Sequence, residues 1–130
     1  MTQLEYFKSR IEATFSPMDY MQESKQNKDE YVLLDVRNGP PTLKKEKIQG
    51  AIEIPLLALE NRLSELPKEK VIVLYCWDVW CSTAAKAALI LLEKGFKVKE
   101  LSGGIAAWKT MNFPVTPVRH SDSSIEECGC

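Results

Sequence analysis

Cys76 and Cys81 enclose a C-x-x-x-x-C stretch, Cys76-Trp77-Asp78-Val79-Trp80-Cys81, and two further thiols near the end of the chain form Cys128-Gly129-Cys130. A thiolate is both a strong nucleophile and a soft metal ligand, so thiols at short spacing suggest three kinds of chemistry. One is group transfer through a single nucleophilic cysteine. The second is dithiol redox work, in which Cys76 attacks and Cys81 resolves the product as a disulfide. The third is a thiolate metal site, but C-x-x-x-x-C combined with C-x-C is not a zinc spacing, so neither a metal nor a cofactor is expected.

The neighbouring elements favour a nucleophile. Val71 to Tyr75 is a continuous apolar run rich in β-branched residues, which suits a strand covered on both faces, as in a parallel sheet. Ser82 to Lys94 reads as a helix, with Ala85, Ala88, Leu89 and Leu92 on one face, Ser82 as N-cap and Gly95 just past its end. Cys76 therefore leaves the carboxyl end of a strand and enters a tight loop that opens a helix, where open α/β folds place their chemistry. Backbone N–H groups of the loop and helix start should converge on the sulfur, and a lowered thiol pKa is expected.

Four pieces of sequence resemble one family, the rhodanese-like sulfurtransferases. They are Leu33-Leu34-Asp35-Val36-Arg37; Ile48-Gln49-Gly50-Ala51-Ile52-Glu53-Ile54-Pro55; Tyr75-Cys76; and Leu101-Ser102-Gly103-Gly104 followed by Trp108. Their order and spacing cover about Ser16 to Pro117. The resemblance implies an α/β, rhodanese-like fold, an open and mostly parallel sheet with helices on both faces. It also implies that Cys76 carries sulfane sulfur as a persulfide, between a small-molecule or protein persulfide donor and a thiol acceptor. Trp77, Asp78, Val79, Trp80 and Ser82 then form the substrate-binding loop, with Cys81 as a candidate resolving or redox partner. Gly103 and Gly104 are placed near the catalytic loop as a close backbone approach; Asp35 and Arg37, at the carboxyl end of their strand, also come near the site and read as a structural ion pair or as loop hydrogen bonds. Trp108 is implied to pack in the core. A non-catalytic rhodanese module is a further alternative.

Two departures from the family pattern bear on the donor. Many members read C-x-x-x-x-R-S, whereas here Cys81 precedes Ser82, and many carry histidine where this chain has Lys47. The loop thus contains no cation, and weak activity with thiosulfate is expected. The basic cluster Lys44, Lys45 and Lys47 is expected to be solvated surface, with supply of the missing positive charge as the lesser reading. A phosphatase loop of the C-x-x-x-x-x-R kind needs arginine at the position of Ser82 and is excluded.

At 130 residues the chain fits one domain, and its net charge of −1 gives no nucleic-acid or anionic-membrane signal. No apolar run is long enough to span a bilayer, and the first residues lack a signal-peptide core, so a cytoplasmic location is expected. Residues 1–15 are expected to form a helix packed on the domain, with Leu4, Phe7, Ile11 and Phe15 on one face. Residues 16–117 form the rhodanese-like domain, and 118–130 a polar tail. Within the domain, Ser16-Pro17 starts a helix, Tyr31 to Val36 and Phe96 to Leu101 read as strands, and Ile48 to Ile54 holds a short one. Leu56 to Leu66 and Ile105 to Met111 read as helices. His120, the only histidine, is expected to be exposed and no partner of Cys76. Cys128 and Cys130 either relay sulfur, bind a thiophilic ion or belong to an inert tail.

Overall fold

The computed structural model describes residues 1–40 and 42–118. Its elements are α1 (Gln3–Ala13), β1 (Thr14–Phe15), α2 (Pro17–Gln26), β2 (Tyr31–Asp35), β3 (Glu46–Ile48), β4 (Ile52–Glu53), α3 (Leu56–Leu59), β5 (Val71–Tyr75), α4 (Thr83–Glu93), β6 (Lys97–Leu101), α5 (Gly104–Thr110) and β7 (Val115–Pro117). Five strands form one sheet in the order β1-β6-β5-β2-β4, and every neighbouring pair is parallel. β5 lies at the centre, as its apolar run demands. Alternate side chains of the central strands feed two cores. Leu34, Ile72 and Leu74 pack with Leu59, Ala84, Ala87 and Leu91 on the face covered by α3 and α4. Leu33, Val73 and Tyr75 pack with Phe15, Ile105 and Trp108 on the other. No helix of the described residues is long and apolar enough to cross a membrane.

Four features differ from the sequence expectations. First, α4 turns a different face inward. Ala84, Ala87 and Leu91 are buried, whereas Leu89 and Leu92 are 62% and 54% exposed. Both stripes satisfy helical spacing, and the alanine side is the one that packs beside Cys76 in the core. Second, α1 buries no residue. Its backbone becomes extended at Thr14, so Phe15 enters the core from edge strand β1 rather than from the helix. The helix is held by a Thr2–Glu5 capping box and by Lys99 Nζ, which donates to the carbonyl oxygens of Ile11 and Glu12 at 3.0 and 2.7 Å. Third, the helix expected over Leu56 to Leu66 shortens to α3 and a 3-10 turn at Leu63–Glu65. Short-range bonds such as Arg62 N to Leu59 O, 3.0 Å, replace the helical ladder, while Leu59 and Leu66 remain buried. Fourth, part of the basic cluster is a strand, since β3 pairs antiparallel with β7.

Candidate active site

The carboxyl end of β5 delivers Cys76 into a loop that curls back on itself, with Cys81 N donating to Asp78 O at 3.1 Å. The first turn of α5 clamps this loop. Ile105 N donates to Cys76 O and Ala106 N to Trp77 O, both at 3.0 Å. Such an approach requires glycine. Gly103 and Gly104 have φ of +78° and +61°, and a Cβ on Gly104 would collide with the Cys76 carbonyl. The glycine pair therefore lies against the loop, as the resemblance implies.

Cys76 is 3% exposed, and its Sγ donates to the Cys81 carbonyl oxygen at 3.4 Å. Backbone N–H groups of Ala84 and Trp77 are directed at its sulfur. Cys81 is half-buried, and its Sγ lies 3.1 Å from Thr83 Oγ1. The N–H groups of Thr83 and Trp77 face that second sulfur. Two thiols thus share one cradle of backbone donors at the start of α4.

The acidity of the pair runs opposite to the sequence expectation. Burial, reinforced by the Cys81 thiol beside it, pushes the Cys76 thiol up to about 11, against the opposing N–H groups. Burial also acts upward on Cys81, but the Thr83 hydroxyl, the Cys76 thiol and the backbone donors outweigh it and bring Cys81 below its ordinary value. The pair therefore gives up its first proton from the more open cysteine. Ser82 stands at the N-cap of α4 but makes no capping hydrogen bond and is exposed. Thr83, which sequence reasoning passed over, is the hydroxyl that engages the site. Its signal was its place two residues after Cys81 at the helix start.

Asp35 and Arg37 form the expected ion pair, each 2% exposed. Arg37 Nε and Nη2 donate to the Asp35 carboxylate at 2.9 and 2.7 Å, and Tyr75 Oη donates to it at 2.9 Å. Arg37 Nη2 also donates to Glu46 O at 2.7 Å. The guanidinium lies 4.5 Å from the Trp77 ring centroid, so the pair also fixes the residue that follows Cys76. Beyond this ring opens a cleft of about 380 Å³ lined by Arg37, Lys45, Trp77, Asp78, Trp80 and Lys109, among others. Val79 and Trp80 are 83% and 72% exposed. Of the basic cluster, Lys44 donates to Arg37 O at 3.3 Å and Lys47 to Ala51 O at 2.8 Å; Lys45 reaches the cleft. Among the described residues no group of His, Cys, Asp or Glu is arranged to hold a metal ion. His120, Cys128 and Cys130 lie outside the described residues.

The rhodanese-like domain family model matches residues 19–111, and the chain belongs to that family. It is 30% identical over 88 residues to a protein named sulfurtransferase from Allochromatium vinosum, covering 67% of this chain and 79% of that one. It is 40% identical over 78 residues to an HTH-type transcriptional regulator of Mycobacterium tuberculosis, covering 58% of this chain; the match spans only 34% of the regulator's length. A solved full-length protein of Lactobacillus plantarum shares the fold with a TM-score of 0.82 at 33% identity, over 89% of this chain and 97% of that one.

Proposed function

We propose that the chain is a sulfurtransferase that carries sulfane sulfur as a persulfide on Cys76. The observation that supports this reading best is the seat of Cys76 at the strand-to-helix junction of a rhodanese-like domain, in a loop clamped by the first turn of α5 through Ile105 N and Ala106 N. In the forward step the Cys76 thiolate attacks the outer sulfur of a donor persulfide, and the donor's thiolate leaves. In the return step an acceptor thiolate takes that sulfur, and Cys76 leaves as thiolate. Each step moves negative charge among sulfur atoms, and donors already in place stabilise it without reorganisation. Asp35, Arg37, Gly103 and Gly104 hold the loop, and Trp77 and Trp80 flank the adjoining cleft.

The donor class follows from the charges. Thiosulfate is a dianion best bound by a fixed cation. The loop has none, Asp78 adds a negative charge and the two tryptophans add apolar surface, while Arg37 and Lys109 of the cleft are paired with Asp35 and Glu46. A polysulfide or a persulfide of a small molecule or protein suits this surface better. Turnover of a persulfide donor with an acceptor thiol, compared between wild type and Cys76→Ser, tests the assignment; full activity in the variant would end it.

A further inference from the structure

The open, more acidic thiol of the pair is Cys81, and the mechanism above gives it no task. The contact between Cys76 Sγ and the Cys81 carbonyl oxygen, 3.4 Å, places that sulfur within ~6 Å of the Cys81 Cα. The turn from Asp78 O to Cys81 N closes the loop between the two cysteines, so their side chains start next to each other at the head of α4. Thr83 Oγ1 at 3.1 Å from Cys81 Sγ is placed to hold that sulfur as a thiolate. Cys76, by contrast, is nearly sealed at 3% exposure, so an external acceptor must pass the thiol that already stands at its side.

We infer that Cys81 is a built-in second nucleophile that discharges the Cys76 persulfide, releasing hydrosulfide and closing a Cys76–Cys81 disulfide. This inference rests on the persulfide reading of Cys76. The Cys81 thiolate attacks the inner sulfur, Cys76 Sγ. The bond between the two persulfide sulfurs breaks, and the outer sulfur leaves with its electron pair as hydrosulfide. The sulfane sulfur is reduced, and the two cysteines are oxidised together to the disulfide. An external dithiol then restores both thiols and becomes a disulfide itself, so atoms and electrons balance over the cycle. Two features favour this route. Attack within one loop carries the high effective concentration of an intramolecular reaction. Hydrosulfide is also a better leaving group than an alkyl thiolate, because leaving ability rises as the thiol's pKa falls. The lowered pKa of Cys81 gives it a larger thiolate share than an ordinary cysteine has at the same pH.

The test follows one loading event. Fully reduced protein is treated with glutathione persulfide, desalted, and left without an acceptor thiol. Hydrosulfide is measured by bimane trapping and the protein by intact mass. Wild type should release close to one hydrosulfide per chain and end ~2 Da below the reduced mass, by loss of two hydrogens. Cys81→Ser and Cys81→Ala should each keep the added sulfur, ~32 Da, and release at least tenfold less over the same period. Thr83→Val should release hydrosulfide several-fold more slowly for each sulfur it has loaded. Equal release from wild type and both Cys81 variants, or a wild type that keeps its extra sulfur, would overturn the inference while leaving the persulfide reading intact. Failure of both Cys81 variants to gain any sulfur would overturn the persulfide reading, and the inference with it.

Discussion

The Arg37 guanidinium lies 4.5 Å from the Trp77 ring centroid, held there by the Asp35 carboxylate that it meets through two nitrogens. One side chain thus closes a buried charge pair and braces the residue next to Cys76. Replacing it by Arg37→Met leaves Asp35 buried with only Tyr75 Oη and the backbone as partners. Breaking such a pair costs ~3–5 kcal/mol. Urea denaturation should show that loss. The double variant Asp35→Asn/Arg37→Met should lose less than Arg37→Met alone, because no unpaired charge remains. An additive pair of losses would show that the ion pair is not what Arg37 contributes.

Gly104 and Gly50 both have positive φ, but only Gly104 faces a wall. A Cβ at Gly50 meets nothing within 4 Å, whereas at Gly104 it strikes the Cys76 carbonyl. Gly50→Ala should cost only the ~1–2 kcal/mol of left-handed backbone. Gly104→Ala should cost more than that and also loosen the Ile105 N to Cys76 O bond that clamps the loop. Chemical denaturation of the two variants side by side gives the comparison, and equal losses would contradict it.

The pH dependence of thiol reactivity should separate the two cysteines. A thiol alkylates as its thiolate, so reactivity rises as pH climbs through the pKa. Cys76, pushed up to about 11, should react slowly at neutral pH and gain speed only at strongly alkaline pH. Cys81, lowered by its Thr83 hydroxyl and backbone partners, should react first as pH rises. Cys81→Ser removes a neighbouring thiol that raises Cys76, so the Cys76 curve should move to lower pH. Iodoacetamide labelling followed by peptide mass mapping reads each site; a Cys76 that labels ahead of Cys81 at neutral pH would contradict this order.

These two thiols also mark how far the sequence could be read. The strand Val71–Tyr75 was legible because an unbroken β-branched run has few homes outside a central parallel strand, and Cys76 followed from its end. The Asp35–Arg37 pair was one of two readings open at the carboxyl end of its strand, and the Gly103–Gly104 approach was implied by the family's motif. The inward face of α4 was not. Ala84, Ala87 and Leu91 repeat with the same spacing as Ala88, Leu92 and their neighbours, and periodicity alone cannot choose between two apolar stripes. The order of acidity in the cysteine pair was hidden for a related reason. It depends on how deeply each sulfur is buried and on the placement of Thr83, both of which only the folded loop fixes. The exposure of Leu4, Phe7 and Ile11 on α1 was not legible either, because amphipathic spacing does not show how deeply a face is buried, and a cap and Lys99 hold this helix.

The donor preference follows from the cation missing from the loop. A charge-assisted hydrogen bond is worth ~1.5–3 kcal/mol, or about tenfold to a hundredfold in catalytic efficiency. Thiosulfate should therefore be turned over well below a persulfide or polysulfide donor, and Cys81→Arg should raise the thiosulfate rate. Steady-state kinetics with both donor classes on wild type, Cys81→Arg and Lys45→Ala provides the check. Efficient thiosulfate turnover by wild type that Lys45→Ala removes would overturn this preference and make the cleft lysine the anion's partner.

If Cys76 carries the transferred sulfur, the added mass must lie on Cys76. Cys81→Ser, which retains the loaded sulfur on this account, is treated with glutathione persulfide, capped, digested and mapped by mass spectrometry. A gain of ~32 Da is expected on the peptide holding Cys76, and none when Cys76→Ser is added to the same background. Extra sulfur confined to Cys128 or Cys130, or equal loading with and without Cys76, would contradict it.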